Sequence, residues 1–365
     1  GLIFHETEQM CASAPGGKST HLLSLMKDEA YLVANELDIN RNKALVENVN
    51  RWGNVNCTVS NGRSGVFTGL EGQFDLVLLD APCSGEGMFR KDRQSLEQWS
   101  PNLVRSCATI QSELIDDAAA LVSPGGYLVY STCTFEPEEN ERQIERIMKS
   151  HDFEGVSIDL DAAWNIQERS IKSGPESVQS YYLYFHNVMG EGQFVCVLKK
   201  RGDEAERRRF KVKKRYLRRL KADEEQRVND FISIPAGYSL VEYKSILYAV
   251  PSDRLDLQEW LLDNMPLWKM GVKLGQFAGK DFKPHHELAL SNISDAFSRK
   301  IELSYDEAIS YLKREVLSLP PEAEKGWSLM TYKGLALGWG KNLGNRFNNY
   351  YPKELALRKE IKKAE

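Results

Sequence analysis

Between Tyr31 and about Lys200, short apolar and β-branched runs alternate with longer amphipathic stretches, a pattern that few folds accommodate. YLVANE (Tyr31 to Glu36), FDLVLLD (Phe74 to Asp80), GYLVYSTC (Gly126 to Cys133) and QFVCVLKK (Gln193 to Lys200) read as strands. The middle two are apolar enough to be covered on both faces. INRNKALVENVNRWG (Ile39 to Gly53) predicts a helix with a glycine stop, and QSELIDDAAALVSPGG (Gln111 to Gly126) a helix running into a Pro-Gly-Gly turn. Such an alternation implies an α/β fold with a mainly parallel sheet, whose ligands sit at the carboxyl ends of the strands.

The chain of 365 residues, 42% of them hydrophobic, has room for two or three domains. No apolar run reaches membrane-spanning length, and the opening GLIFHETEQ lacks the order of a secretory signal, so a cytoplasmic location is expected. The six cysteines (Cys11, Cys57, Cys83, Cys107, Cys133, Cys196) form no Cys-x-x-Cys pair and no zinc spacing. They read as free thiols in a reducing compartment, and no metal is expected. With a net charge of −4, a nucleic-acid partner must be met by a local basic surface.

Arg201 to Arg227 (RGDEAERRRFKVKKRYLRRLKADEEQR) supplies such a surface, with Phe210, Tyr216 and Leu217 interleaved and helical propensity throughout. It reads as an RNA-contacting segment whose binding is salt-dependent, or as a solvated helix that keeps a linker soluble. Beyond it lie YSLVEYKSILYAVP (Tyr238 to Pro251), the helical SYDEAISYLKREVLSL (Ser304 to Leu319), and a glycine- and aromatic-rich end from Gly326 to Leu355 that reads as small strands and tight turns. The expected division is an α/β domain over residues 1–200, a basic linker and intermediate domain over 201–280, and a β-rich module over 281–365.

Three motifs fall at strand ends. APGGKST (Ala14 to Thr20) joins small residues and Gly16-Gly17 to a helix start, so that a ligand meets backbone amides at close range. Its spacing is neither that of a dinucleotide fingerprint nor that of a P-loop. Glu36 ends the next strand, placed to accept both ribose hydroxyls of a nucleoside cofactor, or else to cap the following helix. Asp80 ends a buried strand and is followed by Pro82, which stops the chain from continuing in the sheet; the bland reading is a turn cap. Cys83 and Cys133 stand at the ends of two apolar runs, where Cys133 also reads as a buried strand cysteine.

DAPCSGEG (Asp80 to Gly87), Ser131-Thr132-Cys133-Thr134 and APGGKST together resemble the S-adenosylmethionine-dependent RNA cytosine-5 methyltransferases of the Nol1/Nop2/Sun family. The resemblance implies a Rossmann-like class I methyltransferase fold in residues 1–200, with a smaller C-terminal α+β, β-rich PUA-like region. It assigns Ala14, Pro15, Gly16, Gly17 and Lys18 to the methionine moiety of S-adenosylmethionine, and Glu36 to the ribose. Asn61, in Asn61-Gly62-Arg63, takes the place of the family's aspartate beside the adenine, where an amide still accepts from the amino group.

In family terms Asp80 meets both the cofactor side and the target cytosine, as a protonated carboxyl donating to ring nitrogen 3. Carbon 5 of cytosine is too poor a nucleophile to take a methyl group unaided, so a thiolate first adds to carbon 6. The resemblance makes Cys133 that nucleophile and gives Cys83 the release step. DNA cytosine methyltransferases attack with the proline-cysteine of the corresponding motif, which leaves Cys83 as the competing nucleophile.

Lys18 is implied to touch the base and, with Arg90-Lys91, to supply positive potential for a thiol whose free pKa is near 8.5. Phe89, Arg90, Lys91 and Trp99 are candidates for the RNA path, Trp99 equally for packing. Gly190-Glu191-Gly192 resembles a late family motif with no chemical role assigned.

The loop departs from the family in one respect. Cys11-Ala12-Ser13 follows a polar stretch where the family has a buried strand, and GLIFHE resembles a segment found further upstream. At the other end, Trp339, Lys341, Asn342 and Arg346 resemble the PUA-like ends of bacterial ribosomal RNA members, though Trp327 and Trp339 equally suit a small core. The partner expected is ribosomal RNA of the small subunit, with no membrane, no metal and no deducible protein partner. A tRNA substrate, uridine-5 methylation, and an RNA-binding assembly factor without turnover are the alternatives.

Overall fold

The computed structural model describes residues 2–5, 16–26, 30–202, 210–317 and 323–358. Cys11, Ser13, Ala14 and Pro15 lie outside the described residues. Two compact units are present, Gly1–Asn48, Cys57–Lys213 and Trp260–Lys269 in the first, and Val49–Asn56, Lys214–Glu259 and Met270–Glu365 in the second. Residues 201–280, expected as an intermediate segment, contribute to both.

The first unit holds β1 (Leu2–His5), α1 (Gly17–Leu25), β2 (Leu32–Glu36), α2 (Ile39–Trp52, its last turn in the second unit), β3 (Cys57–Ser60), β4 (Phe74–Asp80), α3 (Arg93–Gln98), α4 (Pro101–Leu121), β5 (Val122–Thr132), α5 (Glu141–Ser150), β6 (Phe153–Gly155), β7 (Gln167–Ser173), β8 (Glu176–Leu183) and β9 (Gln193–Lys200). The sheet order runs β3-β2-β1-β4-β5-β9-β8-β7, with β6 beside β9. The first five strands are mutually parallel, whereas β9, β8 and β7 continue antiparallel. β2 and β3 are buried along their whole length, whereas β4, expected to be covered on both faces, alternates buried with exposed or partly exposed residues.

The strand that the polar stretch before the glycine loop does not provide is supplied by Leu2–His5. Its apolar Leu-Ile-Phe run suits a central position hydrogen-bonded on both sides, and it pairs with β2 and β4. His5 is the register partner of both Glu36 and Asp80.

Two other elements differ from expectation. The Pro-Gly-Gly stretch is not a turn after the helix but the start of β5, where the register against β4 shifts between Phe74 and Leu76. Such a bulge takes up extra residues without breaking the ladder. α4 begins at Pro101 rather than near Gln111, because Ser100 caps it by accepting from the Leu103 N–H at 3.2 Å and a proline at the first helical position costs no hydrogen bond.

In the second unit, strands at Arg218–Arg219, Tyr238–Tyr243, Ile246–Pro251, Val272–Ala278 and Asp281–Pro284 form one antiparallel sheet in that order. Lys300–Glu302, Gly326–Tyr332, Leu335–Asn342 and Phe347–Asn349 form a second, mixed sheet, in which the first two strands are parallel and the others antiparallel. Among its described residues the basic segment is not one helix: the helix that starts there runs from Ala222 to Phe231, and Arg215 and Arg218 are held by Asp256, Glu224 and Glu242. These two guanidinium charges, read as free for phosphate, are met by acids of the segment and of neighbouring stretches. The helix expected over 304–319 is capped by Ser304 and Glu307 but covers Tyr305–Leu312.

Trp339 and Trp327 are core residues, 1% and 9% exposed. Trp339 packs against Phe231 and Phe297 and donates its Nε1–H to the His285 carbonyl at 2.9 Å. No helix among the described residues is long and apolar enough to cross a membrane. Trp339→Ala should destabilise this unit by about 3–5 kcal/mol in denaturant titrations. A change below about 1 kcal/mol would remove Trp339 from the core.

Candidate active site

The site begins where β4 and β5 end side by side. Asp80 is the register partner of Ser131, and beyond it the chain leaves the sheet at Pro82 while remaining tied to β5. The Ala81 N–H donates to the Ser131 carbonyl at 2.9 Å, and the Gly87 N–H to the Cys133 carbonyl at 2.8 Å. The two cysteine-bearing turns therefore run together. Cys83 Sγ and Cys133 Sγ stand 3.1 Å apart as free thiols, and the Cys133 N–H points at Cys83 Sγ at 3.2 Å. Cys83 is buried, Cys133 only half-buried.

Lys18, the second residue of the helix after the glycine loop, reaches Asp80 with Nζ to Oδ2 at 2.9 Å. Ser131 donates its hydroxyl to Asp80 Oδ1 at 3.4 Å, and Gln193 in turn donates to Ser131. Asp80 thus meets a donor at each of its oxygens. Lys18, Arg41, Asp80, Cys83, Met88, Lys91, Cys133, Glu191 and Gln193 line one cavity of about 380 Å³. Three cations and the carboxylates of Asp80 and Glu191 thus share it with the thiols.

The cavity wall depends on two glycines. The Gly192 N–H donates to the Gly87 carbonyl at 2.9 Å, and a Cβ on Gly192 would meet Phe135 at 2.4 Å and the Gly87 Cα at 2.6 Å. This close approach is what the Gly-Glu-Gly motif is for. Arg90 faces away from the thiols: it donates to the carbonyls of Phe185 and Gly190 and pairs with Glu191 at 3.6 Å, fixing the loop that carries Gly192.

At the other end of the strand tips, Gly16 takes a left-handed φ of +104° and starts α1, while a Cβ on Gly17 would meet nothing. The first turn of α1 is therefore bare backbone open to a ligand, with unpaired amides and the positive end of the helix. Glu36, 1% exposed, is held by the Asp38 N–H at 2.9 Å and Arg41 Nε at 3.2 Å, and a carboxylate has about four lone-pair sites to share. Asn61 spends both amide hydrogens on the carbonyls of Glu36 and Leu37, which leaves its oxygen as an acceptor. Bare amides, a carboxylate and an amide acceptor in this order fit a nucleoside whose other end is a cation.

The structure brings Lys18, Asp80, Cys83 and Cys133 into one cavity and sets Gly16, Gly17, Glu36 and Asn61 at the neighbouring strand ends. Arg41 and Gln193 escaped the sequence reading. Arg41 carries a weak signal, a cation five residues after Glu36 in the first turn of α2; Gln193 carries none.

A sheet of this order with a ligand crevice after its first strand and two facing thiols defines a methyltransferase of class I fold. The family model described as 16S rRNA methyltransferase RsmB/F matches residues 5–199, and that of the methyltransferase RsmF PUA domain residues 298–357. Ribosomal RNA small subunit methyltransferase F of Vibrio parahaemolyticus is 33% identical over 96% of this chain and 74% of its own length. The protein of that name from Aliivibrio salmonicida is 32% identical over 94% and 72%. Among solved structures, NSun6 from Pyrococcus horikoshii with SFG is 26% identical with a TM-score of 0.42, over 55% of this chain and 48% of that one. The chain belongs to the RsmB/F family of 16S rRNA methyltransferases, within the Nol1/Nop2/Sun group.

Gly192→Ala should cost about 1–3 kcal/mol through overpacking against Phe135 and Gly87, read by thermal unfolding. An unchanged melting temperature would show that the two backbones need not meet.

Proposed function

We propose that the protein methylates carbon 5 of a cytidine in 16S ribosomal RNA, with S-adenosylmethionine as methyl donor and Cys133 as nucleophile. The observation that carries the reading is the pair of thiols 3.1 Å apart in a cavity shared with the Lys18–Asp80 ion pair. Family membership supports the methyl donor and the ribosomal substrate, and the relatives' names support the small subunit. The reaction belongs to the cytoplasm, where ribosomal RNA is made in bacteria-like relatives. Residues 1–200 are read as the catalytic domain, 201–280 as the linker and intermediate part, and 281–365 as the PUA-like RNA-binding part.

Gly16, Gly17 and Lys18, with Ala14 and Pro15 of the preceding loop, hold the methionine end of the donor, Glu36 the ribose and Asn61 the adenine. Asp80 borders the donor as well as the base. When bound, the donor supplies an electrophilic methyl group on a sulfonium. Asp80 accepts from the exocyclic amino group of the flipped cytosine, and Lys18, the proton donor of the pair, serves the ring acceptor edge.

The Cys133 thiolate adds to carbon 6, forming an S–C bond as the carbon 5–carbon 6 π pair shifts to carbon 5. That carbon takes the methyl group. Cys83 gives its own thiol proton to solvent and, as thiolate, takes the proton from carbon 5; the carbon 5–hydrogen pair re-forms the double bond, the S–C bond breaks and Cys133 leaves as thiolate. Half-exposed Cys133 suits the attack and buried Cys83 the proton removal.

The test is tritiated methyl transfer from S-adenosylmethionine to 16S rRNA, 23S rRNA and tRNA, followed by nucleoside analysis. Label in 5-methylcytidine of 16S rRNA is expected. Label in tRNA or in 5-methyluridine would replace the substrate, and RNA binding without label would favour an assembly factor. Cys133→Ala should lower turnover by at least about 10³-fold, whereas Cys83→Ala should leave protein joined covalently to RNA on a denaturing gel. Trapping with Cys133→Ala instead would exchange the two roles.

A further inference from the structure

Each cysteine is followed by a hydroxyl residue, and the two hydroxyls meet: Ser84 Oγ and Thr134 Oγ1 lie 2.8 Å apart. Each also reaches a carboxyl group. Ser84 Oγ is 2.5 Å from Glu139 Oε1, and Thr134 Oγ1 is 3.2 Å from Glu86 Oε2. Ser84, Thr134 and Glu139 are all at most 1% exposed. Glu139 further accepts from the Ser84 N–H at 3.0 Å and from Gln111 Nε2 at 2.9 Å, while Gln111 also donates to the Pro82 carbonyl. One buried carboxyl group therefore fastens the Pro82–Ser84 turn to the segment after Cys133.

The hydrogens of this chain can be counted. It has three oxygen–oxygen contacts and only two hydroxyl hydrogens, and a carboxylate brings none. With both carboxyls ionised, each hydroxyl donates to its own carboxylate, and the Ser84 and Thr134 oxygens face each other lone pair to lone pair. In a buried setting such an unpaired contact is costly. One more hydrogen, placed on Glu139, satisfies every link: Glu139 donates to Ser84, Ser84 to Thr134, and Thr134 to Glu86.

The surroundings favour Glu139 as its holder. Burial pushes its carboxyl up to about 7, with the charge of Glu86 adding to this, against the donations of Ser84 and Gln111. Glu86 is kept an acceptor by the Phe135 N–H at 2.9 Å. The other titratable groups facing this place are Tyr130, Cys83 and Cys107 on the buried side and Glu136 and Glu138 beside Glu86, with Arg142 paired to Glu138.

We propose that Glu139 is a positioning residue for the two thiols: its proton completes the Glu139–Ser84–Thr134–Glu86 chain, and losing it loosens the Cys83 turn from the Cys133 turn. The folded state holds a proton that an ordinary glutamate with pKa 4.5 gives up, so stability falls as pH rises between 4.5 and about 7. Above that range the chain lacks its third hydrogen. Because methyl transfer is one readout, this part of the test rests on the function proposed above.

Glu139→Gln supplies the missing hydrogen without titrating: its amide donates to Ser84, and its oxygen still accepts from the Ser84 N–H and Gln111. Methyl transfer to 16S rRNA is measured from pH 6 to 8 for wild type, Glu139→Gln and Glu139→Ala. The ratio of Glu139→Gln to wild-type turnover should be near one at pH 6 and about tenfold at pH 8, where one proton in roughly ten remains on wild-type Glu139. Glu139→Ala should be low throughout. Parallel profiles for wild type and Glu139→Gln, or Glu139→Gln as poor as Glu139→Ala, would overturn the role.

A second readout needs no RNA. The yield of the Cys83–Cys133 disulfide after brief diamide treatment, quantified by peptide mass spectrometry, should give a Glu139→Gln to wild-type ratio that climbs over the same range. A flat ratio overturns the positioning role even if methylation proceeds. A climbing ratio with no methylation by any variant upholds it and overturns only the function.

Discussion

The parallel pairing of β4 with β5, in the register that sets Asp80 opposite Ser131, is the constraint on which the reaction centre depends. Neighbouring strands lie about 4.8 Å apart, so two turns that leave adjacent strands at the same level begin within side-chain reach of each other. The bonds from the Ala81 N–H to the Ser131 carbonyl and from the Gly87 N–H to the Cys133 carbonyl carry that proximity past the sheet. Two thiols fifty residues apart in sequence meet at 3.1 Å as a result. A slip of one residue would turn Asp80 or Cys133 to the other face of the sheet.

The second consequence of the sheet concerns the donor. The order reverses at β1, with β2 and β3 to one side and β4 and β5 to the other, and the crevice at such a switch point is where open α/β sheets bind nucleotides. Glu36 and Asp80 both register against His5, which places them about two strand spacings, roughly 10 Å, apart. α1 begins above the same strand end. One sheet edge thus presents acceptors for a ribose on one side and the reacting groups on the other, with bare helix amides between them.

How much of this was legible in the sequence depended on the range of the interaction. Strand ends that carry an acid or a cysteine could be read, because β4 and the latter half of β5 are largely apolar runs and Asp80 and Cys133 stop theirs. The glycine loop and Glu36 were legible for the same local reason. The pairing partner of Lys18 was not, since whether its ammonium meets Asp80 or a base depends on where α1 lies over the sheet. Arg90 read as RNA-facing charge, and its hold on a loop a hundred residues away was not legible. The arginines near 215–218 looked free because the acids that hold Arg215 and the second partner of Arg218 come from distant stretches. Trp339 offered a core and a binding role alike, and only the packing of Phe231 and Phe297 around it decides for the core. Glu139 gave no signal at all, since an acid in a run of glutamates (Glu136, Glu138, Glu139, Glu141) differs from its neighbours only by burial.

Burial and charge also order the two thiols in the proposed cycle. Two thiolates 3.1 Å apart repel strongly, so the pair carries one negative charge at a time. The more accessible Cys133 is the sulfur from which that single charge can reach carbon 6. Once Cys133 is bonded to carbon 6 it is no longer an anion, and the repulsion that kept Cys83 protonated disappears. The Cys133 N–H, aimed at Cys83 Sγ at 3.2 Å, then stabilises negative charge on Cys83. Attack by one sulfur thereby prepares the other to take the proton from carbon 5. The sequence of roles follows from a single shared charge and from which sulfur is buried, and it explains why an enzyme of this chemistry gains by holding two cysteines in contact without joining them.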